Sequence, residues 1–135
     1  MIVADANLLA YLLMEGAMLP LAEQVFRKDP DWTAPALWRS EFRNVITGFM
    51  RRGQLSLENA LEYWHQAETL IFSPEVEPTG AAVLQLAHAS GCTAYDCEFV
   101  ALAQKLGVPL VTADSQILKA FPGIALSPQE FLEKN

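Results

Sequence analysis

Apolar and polar positions divide this chain into short apolar runs and longer stretches with helical spacing. Met1 to Ala4 is a short apolar run that stops at Asp5, and Pro109 to Thr112 is another that stops two residues short of Asp114. Trp32 to Ala34 and Ile124 to Leu126 have the same brevity and composition, and each reads as a buried strand. Between them, apolar residues recur every three or four positions. Ala6 to Met14 and Pro20 to Lys28 read as helices, the second with Leu21, Val25 and Phe26 on one side. The best-marked helix spans about Ala36 to Arg52, with Trp38, Phe42, Val45, Ile46 and Phe49 as its apolar face. Pro35 suits its first turn, and Gly53 stops it. Ser56 caps a partner helix running to about Leu70. Helices are further expected over Thr79 to Ser90, Thr93 to Leu106, Ser115 to Ala120, and after Ser127. Ile71 to Val76 reads as a strand that Pro74 confines to a sheet edge.

Strands that are continuous apolar runs, alternating with helices, imply a mostly parallel sheet covered on both faces. The fold class is therefore α/β, a single α/β/α sandwich occupying residues 1–135 as one domain. In such sheets the residues just past the carboxyl ends of the strands line the ligand crevice. Asp5 and Asp114 are accordingly expected on one edge of the sheet.

Composition narrows the picture. Hydrophobic residues make up 52% of the chain, which favours a folded core and a self-association face. No apolar run reaches membrane-spanning length. Asp5 interrupts the apolar start and no basic leader precedes it, so a secretory signal is not expected and a cytoplasmic location is. Cys92 and Cys97 have no matching His or Cys pair and read as buried thiols rather than a disulfide or zinc site. The net charge of −7 argues against a protein that grips nucleic acid with a broad basic face. It is compatible with an acidic centre neutralised by metal.

Four carboxylates stand out. Asp5 and Asp114 each precede a helix and, taken singly, read as N-caps worth about 1 kcal/mol. Asp96 follows Thr93 by three residues, as in a capping box, and opens an apolar helix with Cys97, Phe99 and Val100. Glu41, between Trp38 and Phe42, reads singly as a solvated helix residue. Jointly, all four sit at or near helix starts that the carboxyl edge of a sheet can gather. Like charges brought together in a partly desolvated cleft oppose folding unless a cation is shared. Oxygen donors without a nearby His or Cys pair favour Mg²⁺ or Mn²⁺ over zinc.

These residues fall in stretches that resemble the PIN-domain nucleases, especially the VapC-type toxins of prokaryotic toxin–antitoxin pairs. The stretches are V-A-D-A-N (Val3 to Asn7), W-x-x-E-F-x-N-V (Trp38 to Val45), Y-D-C-E-F-V-A-L-A (Tyr95 to Ala103) and L-V-T-A-D (Leu110 to Asp114). Each is weak alone; together, in this order, they cover nearly the whole chain. The resemblance implies a metal-dependent endoribonuclease in which Asp5, Glu41, Asp96 and Asp114 form the acidic metal site. Asn7, Thr112 and Ser115 are implied in support. It also implies an RNA substrate, products with a 3′-hydroxyl and a 5′-phosphate, and a small antitoxin protein as partner; a homodimer is expected. Asp5 and Asp96 are expected nearest the metal, with Glu41 and Asp114 acting through bound waters. Gln116, Ile117 and Leu118 follow Asp114 where many relatives carry a further acid, which leaves one metal ion or two open.

Arg39 and Arg43 lie four apart and share a helix face, roughly 200° around from Glu41. They are candidate contacts to RNA phosphates or to an acidic segment of a partner, against the plain reading as surface arginines. Arg51 and Arg52 read as helix-end charges, and His65 and His88 as isolated residues without a catalytic role. Leu61, Tyr63 and Trp64 read as core or dimer contact. Two rival functions remain. A haloacid-dehalogenase-type phosphatase also opens with an apolar strand and Asp, but requires a second Asp where Asn7 stands. A non-catalytic interaction domain of the same fold predicts a damaged acidic set, whereas this one is intact.

Overall fold

The computed structural model describes residues 1–71 and 77–135. Four strands, β1 (Ile2–Ala4), β2 (Trp32–Thr33), β3 (Leu110–Val111) and β4 (Ala125–Leu126), form one parallel sheet in the order β2-β1-β3-β4. The helices are α1 (Ala6–Leu13), α2 (Leu19–Lys28), α3 (Trp38–Arg51), α4 (Leu57–Leu70), α5 (Gly80–Ser90), α6 (Ala94–Leu106), α7 (Ser115–Ala120) and α8 (Pro128–Glu133). α1 packs against α2, α3 and α4; α5 and α6 pack together, with α6 laid over β1 and β3. The architecture is the helix-flanked parallel sheet expected from the alternation of elements.

The strands are short because little sheet is needed. Ile2, Val3, Leu110 and Val111 are fully buried, as a strand sandwiched between helices requires. α6 supplies the matching apolar face: Cys97, Val100, Leu102 and Ala103 are also fully buried. On the other side, Trp38 stacks on Trp64 with ring centroids 5.5 Å apart, which joins α3 to α4. Of the residues read as core or dimer contact, Tyr63 and Trp64 are part-buried against the core, while Leu61 is 60% exposed.

Most helix starts follow the cap residues read from the sequence. The side chains of Asp5, Ser56, Thr79, Thr93, Asp114 and Ser127 each accept a backbone N–H from the first turn of their helix. Ser127 and Glu130 complete a capping box. Gly91 and Gly107 end α5 and α6 in the left-handed conformation. α3 departs from expectation, because it begins at Trp38 rather than Ala36. Pro35 and Ala36 instead form a tight turn, with the Trp38 amide bonded to the Pro35 carbonyl at 2.9 Å. Of the expected strand Ile71 to Val76, Ile71 is the buried C-cap of α4, and the rest lies outside the described residues. Among the described residues no helix is long and apolar enough to cross a membrane.

Candidate metal-dependent active site

The register of the two central strands sets the site. Val3 pairs with Leu110 and Ala4 with Val111, so Asp5 leaves β1 beside Thr112 leaving β3. Both are buried. The Thr112 hydroxyl donates to Oδ2 of Asp5 and accepts the Asp114 amide at 3.0 Å. Oδ1 of Asp5 takes the Leu8 amide at 2.8 Å, and Oδ1 of Asp114 takes the amides of Gln116 and Ile117. The cap reading and the cluster reading are therefore compatible. Each aspartate spends one oxygen on a helix start while its charge stays at the carboxyl edge of the sheet. Thr112, expected in support, is hydrogen-bonded to both residues. Asn7 and Ser115, both exposed, follow Asp5 and Asp114 on the first turns of α1 and α7.

The other two acids arrive on helices. Glu41 sits in the first turn of α3 and Asp96 in the first turn of α6. The Thr93 hydroxyl accepts the Asp96 amide at 3.0 Å, and its nearness to the carboxylate opposes the rise in the Asp96 pKa. Proximity registers as mutual repulsion. Burial, chiefly, raises the pKa of Asp5 against the opposing hydrogen bonds from Thr112 and Leu8, and the charges of Asp114 and Asp96 add to the rise. Burial is also the main reason Glu41 is raised from its ordinary 4.5 to about 7, followed by the charges of Asp96, Asp5 and Glu98. Asp96 is raised by burial, and then by Asp114. The structure thus gathers all four predicted carboxylates into one electrostatic unit.

Glu98 was missed by the sequence reading. It is half-buried on α6, two residues beyond Asp96, and its charge acts on Glu41. Its neighbours Cys97 and Phe99 gave no sign of this, because the link is to Glu41 on another helix. Arg39 and Arg43 turn toward aromatic rings. The Arg39 guanidinium lies 5.3 Å from the Trp38 ring centroid, and that of Arg43 lies 5.1 Å from Trp64. Arg43 also lines an apolar groove between α3 and α4 with Ile46, Met50, Leu57 and Leu61.

The donor set suits a hard divalent cation, being oxygen-only and carrying more charge than a buried edge tolerates unaided. As the side chains stand, no group of three or more His, Cys, Asp or Glu among the described residues is poised to hold an ion. Mg²⁺ commonly uses one or two carboxylates, with waters and substrate phosphates filling its remaining positions.

Fold and site together define a class, and the family comparison agrees: the PIN domain family matches residues 2–122, and the chain belongs to it. Its resemblance is to the VapC type. Ribonuclease VapC3 of Pyrobaculum aerophilum is 30% identical over 128 residues, covering 91% of this chain and 96% of that protein. Two solved structures share the fold. The crystal structure of PAE2754 from Pyrobaculum aerophilum superposes with a TM-score of 0.77 at 22% identity, covering 97% of this chain and 92% of that one. A toxin–antitoxin complex from Klebsiella pneumoniae gives 0.67 at 19% identity, covering 95% and 98%.

The raised carboxyls make stability depend on pH. An acid whose folded pKa lies above its unfolded value binds more protons folded than unfolded between the two, so stability falls as pH rises through that window. For Glu41 the window runs from 4.5 to about 7. Urea unfolding of the metal-free protein with chelator, measured from pH 4 to 8, should show stability falling across this range. Glu41→Gln, which keeps the size and removes the charge, should flatten the fall and leave the variant more stable at pH 8. Parallel curves for the two proteins would place Glu41 outside the repulsive cluster.

Proposed function

We propose that the protein is a Mg²⁺- or Mn²⁺-dependent endoribonuclease, the toxin of a toxin–antitoxin pair, acting in the cytoplasm on single-stranded or loop RNA. The observation that carries this reading is the convergence of Asp5, Glu41, Asp96 and Asp114 at the carboxyl edge of β1 and β3, close enough for each charge to act on others. Asp5 and Asp96 would hold the ion, with Asp114 and Glu41 reaching it through waters. When bound, the ion activates a water and stabilises the charge on the leaving oxygen.

This chain's own groups supply the rest. Thr112 fixes the carboxylate plane of Asp5, and the α1 and α7 amides hold one oxygen each of Asp5 and Asp114. Glu41, part-buried and within reach of the charges of Asp96 and Asp5, would orient the attacking water. Asn7 and Ser115, exposed on the first turns of α1 and α7, would support the two aspartates. The name of the VapC3 relative, a ribonuclease, and the antitoxin bound in the Klebsiella pneumoniae complex support the reading. A small antitoxin is the proposed partner and a homodimer the proposed assembly, with exposed apolar residues such as Leu57, Leu61 and Leu84 available for burial.

The direct test is cleavage of labelled RNA by purified protein with Mn²⁺. Asp5→Asn and Asp96→Asn keep side-chain size, the α1 cap keeps an acceptor oxygen and the Thr93 cap of α6 is untouched, and each should reduce turnover on the order of a hundredfold or more, with circular dichroism unchanged. Wild-type turnover in both variants would remove the carboxylates from the chemistry.

Arg39 and Arg43 are proposed to meet RNA phosphates, or an acidic segment of the antitoxin. Changing both to Gln should reduce the slope of log affinity against log salt by roughly 1.4, about 0.7 per phosphate contact on a single strand. An unchanged slope in filter-binding titrations would return both to the surface.

A further inference from the structure

Six of the eight helices among the described residues start on a side-chain cap from their own N-cap residue, whereas the N-caps of α2 and α3, Met18 and Leu37, supply none. α3 is the helix that carries Glu41. Pro35 has no amide to satisfy, but Ala36 does. The acceptor comes from a residue 41 positions away: Oε1 of Glu77 takes the Ala36 amide at 2.9 Å. A carboxylate at this end of a helix is favoured by the dipole as well as by the hydrogen bond. The same residue is held a second time, because its backbone carbonyl accepts Nζ of Lys105 at 3.2 Å. Lys105 is in the last turn of α6, the helix that carries Asp96.

From these two bonds we infer that Glu77 is a positioning residue, which ties the start of α3 to α6 and so sets Glu41 against Asp96. The tie matters because the two helices have different principal neighbours. α3 packs chiefly on α1, and α6 on α5 and the strands. Glu41 and Asp96 must nevertheless meet at one edge, and their like charges push them apart. A bond across the gap that leaves both carboxylates free to face an ion counters this push. Glu77 is exposed, so its side chain has no core to fill, and its role rests on the acceptor oxygen.

This inference rests on the proposed metal site, and its test separates the two. Wild type, Glu77→Ala and Glu77→Gln are compared. Gln loses the charge but keeps an acceptor oxygen for the Ala36 amide; Ala loses both. Mn²⁺ binding is followed by the electron paramagnetic resonance of free Mn²⁺. Amide exchange at Ala36 and along the first turn of α3 is measured without metal. Glu77→Ala should weaken Mn²⁺ binding roughly three- to tenfold, below the ~10–100-fold typical of residues bonded directly to a metal ligand, with Gln close to wild type. The Ala36 amide should exchange faster in the Ala variant than in the other two. Mn²⁺ affinity equal in all three proteins, or reduced equally in Ala and Gln, overturns the positioning role and leaves the metal site standing. If wild type itself binds no Mn²⁺, the metal reading fails. The exchange data then decide the tie: loss of protection in Ala and retention in Gln supports it, and equal protection overturns it.

Discussion

The Thr112 hydroxyl faces two demands at the end of β3. It donates to the buried carboxylate of Asp5 and accepts the amide of Asp114, with both residues anchored in adjacent parallel strands. Hydrogen bonds to charged groups contribute about 1.5–3 kcal/mol each, and buried groups left unpaired cost a similar amount. Asp5 could not stay in this position as a carboxylate without such a donor. The pairing of β1 with β3 thereby becomes more than sheet cohesion, since it determines where two of the four acids stand. The helices that follow those strands then use one oxygen of each aspartate as a cap, which fixes the orientation of the carboxylates.

The fold accepts a cost at this edge. Burial and mutual repulsion raise Asp5, Glu41 and Asp96, and Glu98 adds to the load on Glu41. Such an arrangement contributes nothing to the stability of the free protein. It persists because the apolar contacts of α6 with β1 and β3, and the aromatic stack between α3 and α4, hold the scaffold independently of the site. A cation supplied to this edge would be bound by groups whose repulsion has already been overcome by folding. On the proposed function, this would let a protein of net charge −7 act on a polyanion without a broad basic face.

Much of this was legible in the sequence because it is encoded locally. Continuous apolar runs marked the strands, and Ser56 and Ser127 marked helix starts as hydrogen-bonding caps, while Thr79 and Thr93, read as first helical residues, are the caps of their helices. Asp5 and Asp114 were placed correctly on one edge by the rule for parallel sheets. What was not legible is set by contacts between distant residues. The adjacency of β1 and β3 depends on strand order, which periodicity does not report. Local reading put the start of α3 at Ala36, because Pro35 resembles a first-turn proline; the chain instead makes a tight turn whose amide is satisfied by Glu77. Glu98 was passed over for a similar reason. Its importance comes from Glu41, 57 positions away in the chain, and not from its own neighbours.

The central claim, that carboxylates which repel one another in the free protein share a divalent cation, is tested most directly by thermal melts of wild type and Asp5→Asn. Each is measured with chelator and with Mn²⁺ at matched ionic strength. Asn keeps an oxygen for the Leu8 amide, so the α1 cap survives the change, while the Thr112 hydroxyl loses its acceptor at every pH. The account predicts that in chelator a rise from mildly acidic to neutral pH lowers the melting temperature of wild type more than that of Asp5→Asn. It further predicts that Mn²⁺ at a hundredfold excess over its dissociation constant stabilises wild type by about 2.7 kcal/mol and leaves the variant nearly unmoved. Equal shifts of the two proteins on adding Mn²⁺ would contradict it, and would leave Asp5 as a helix cap alone.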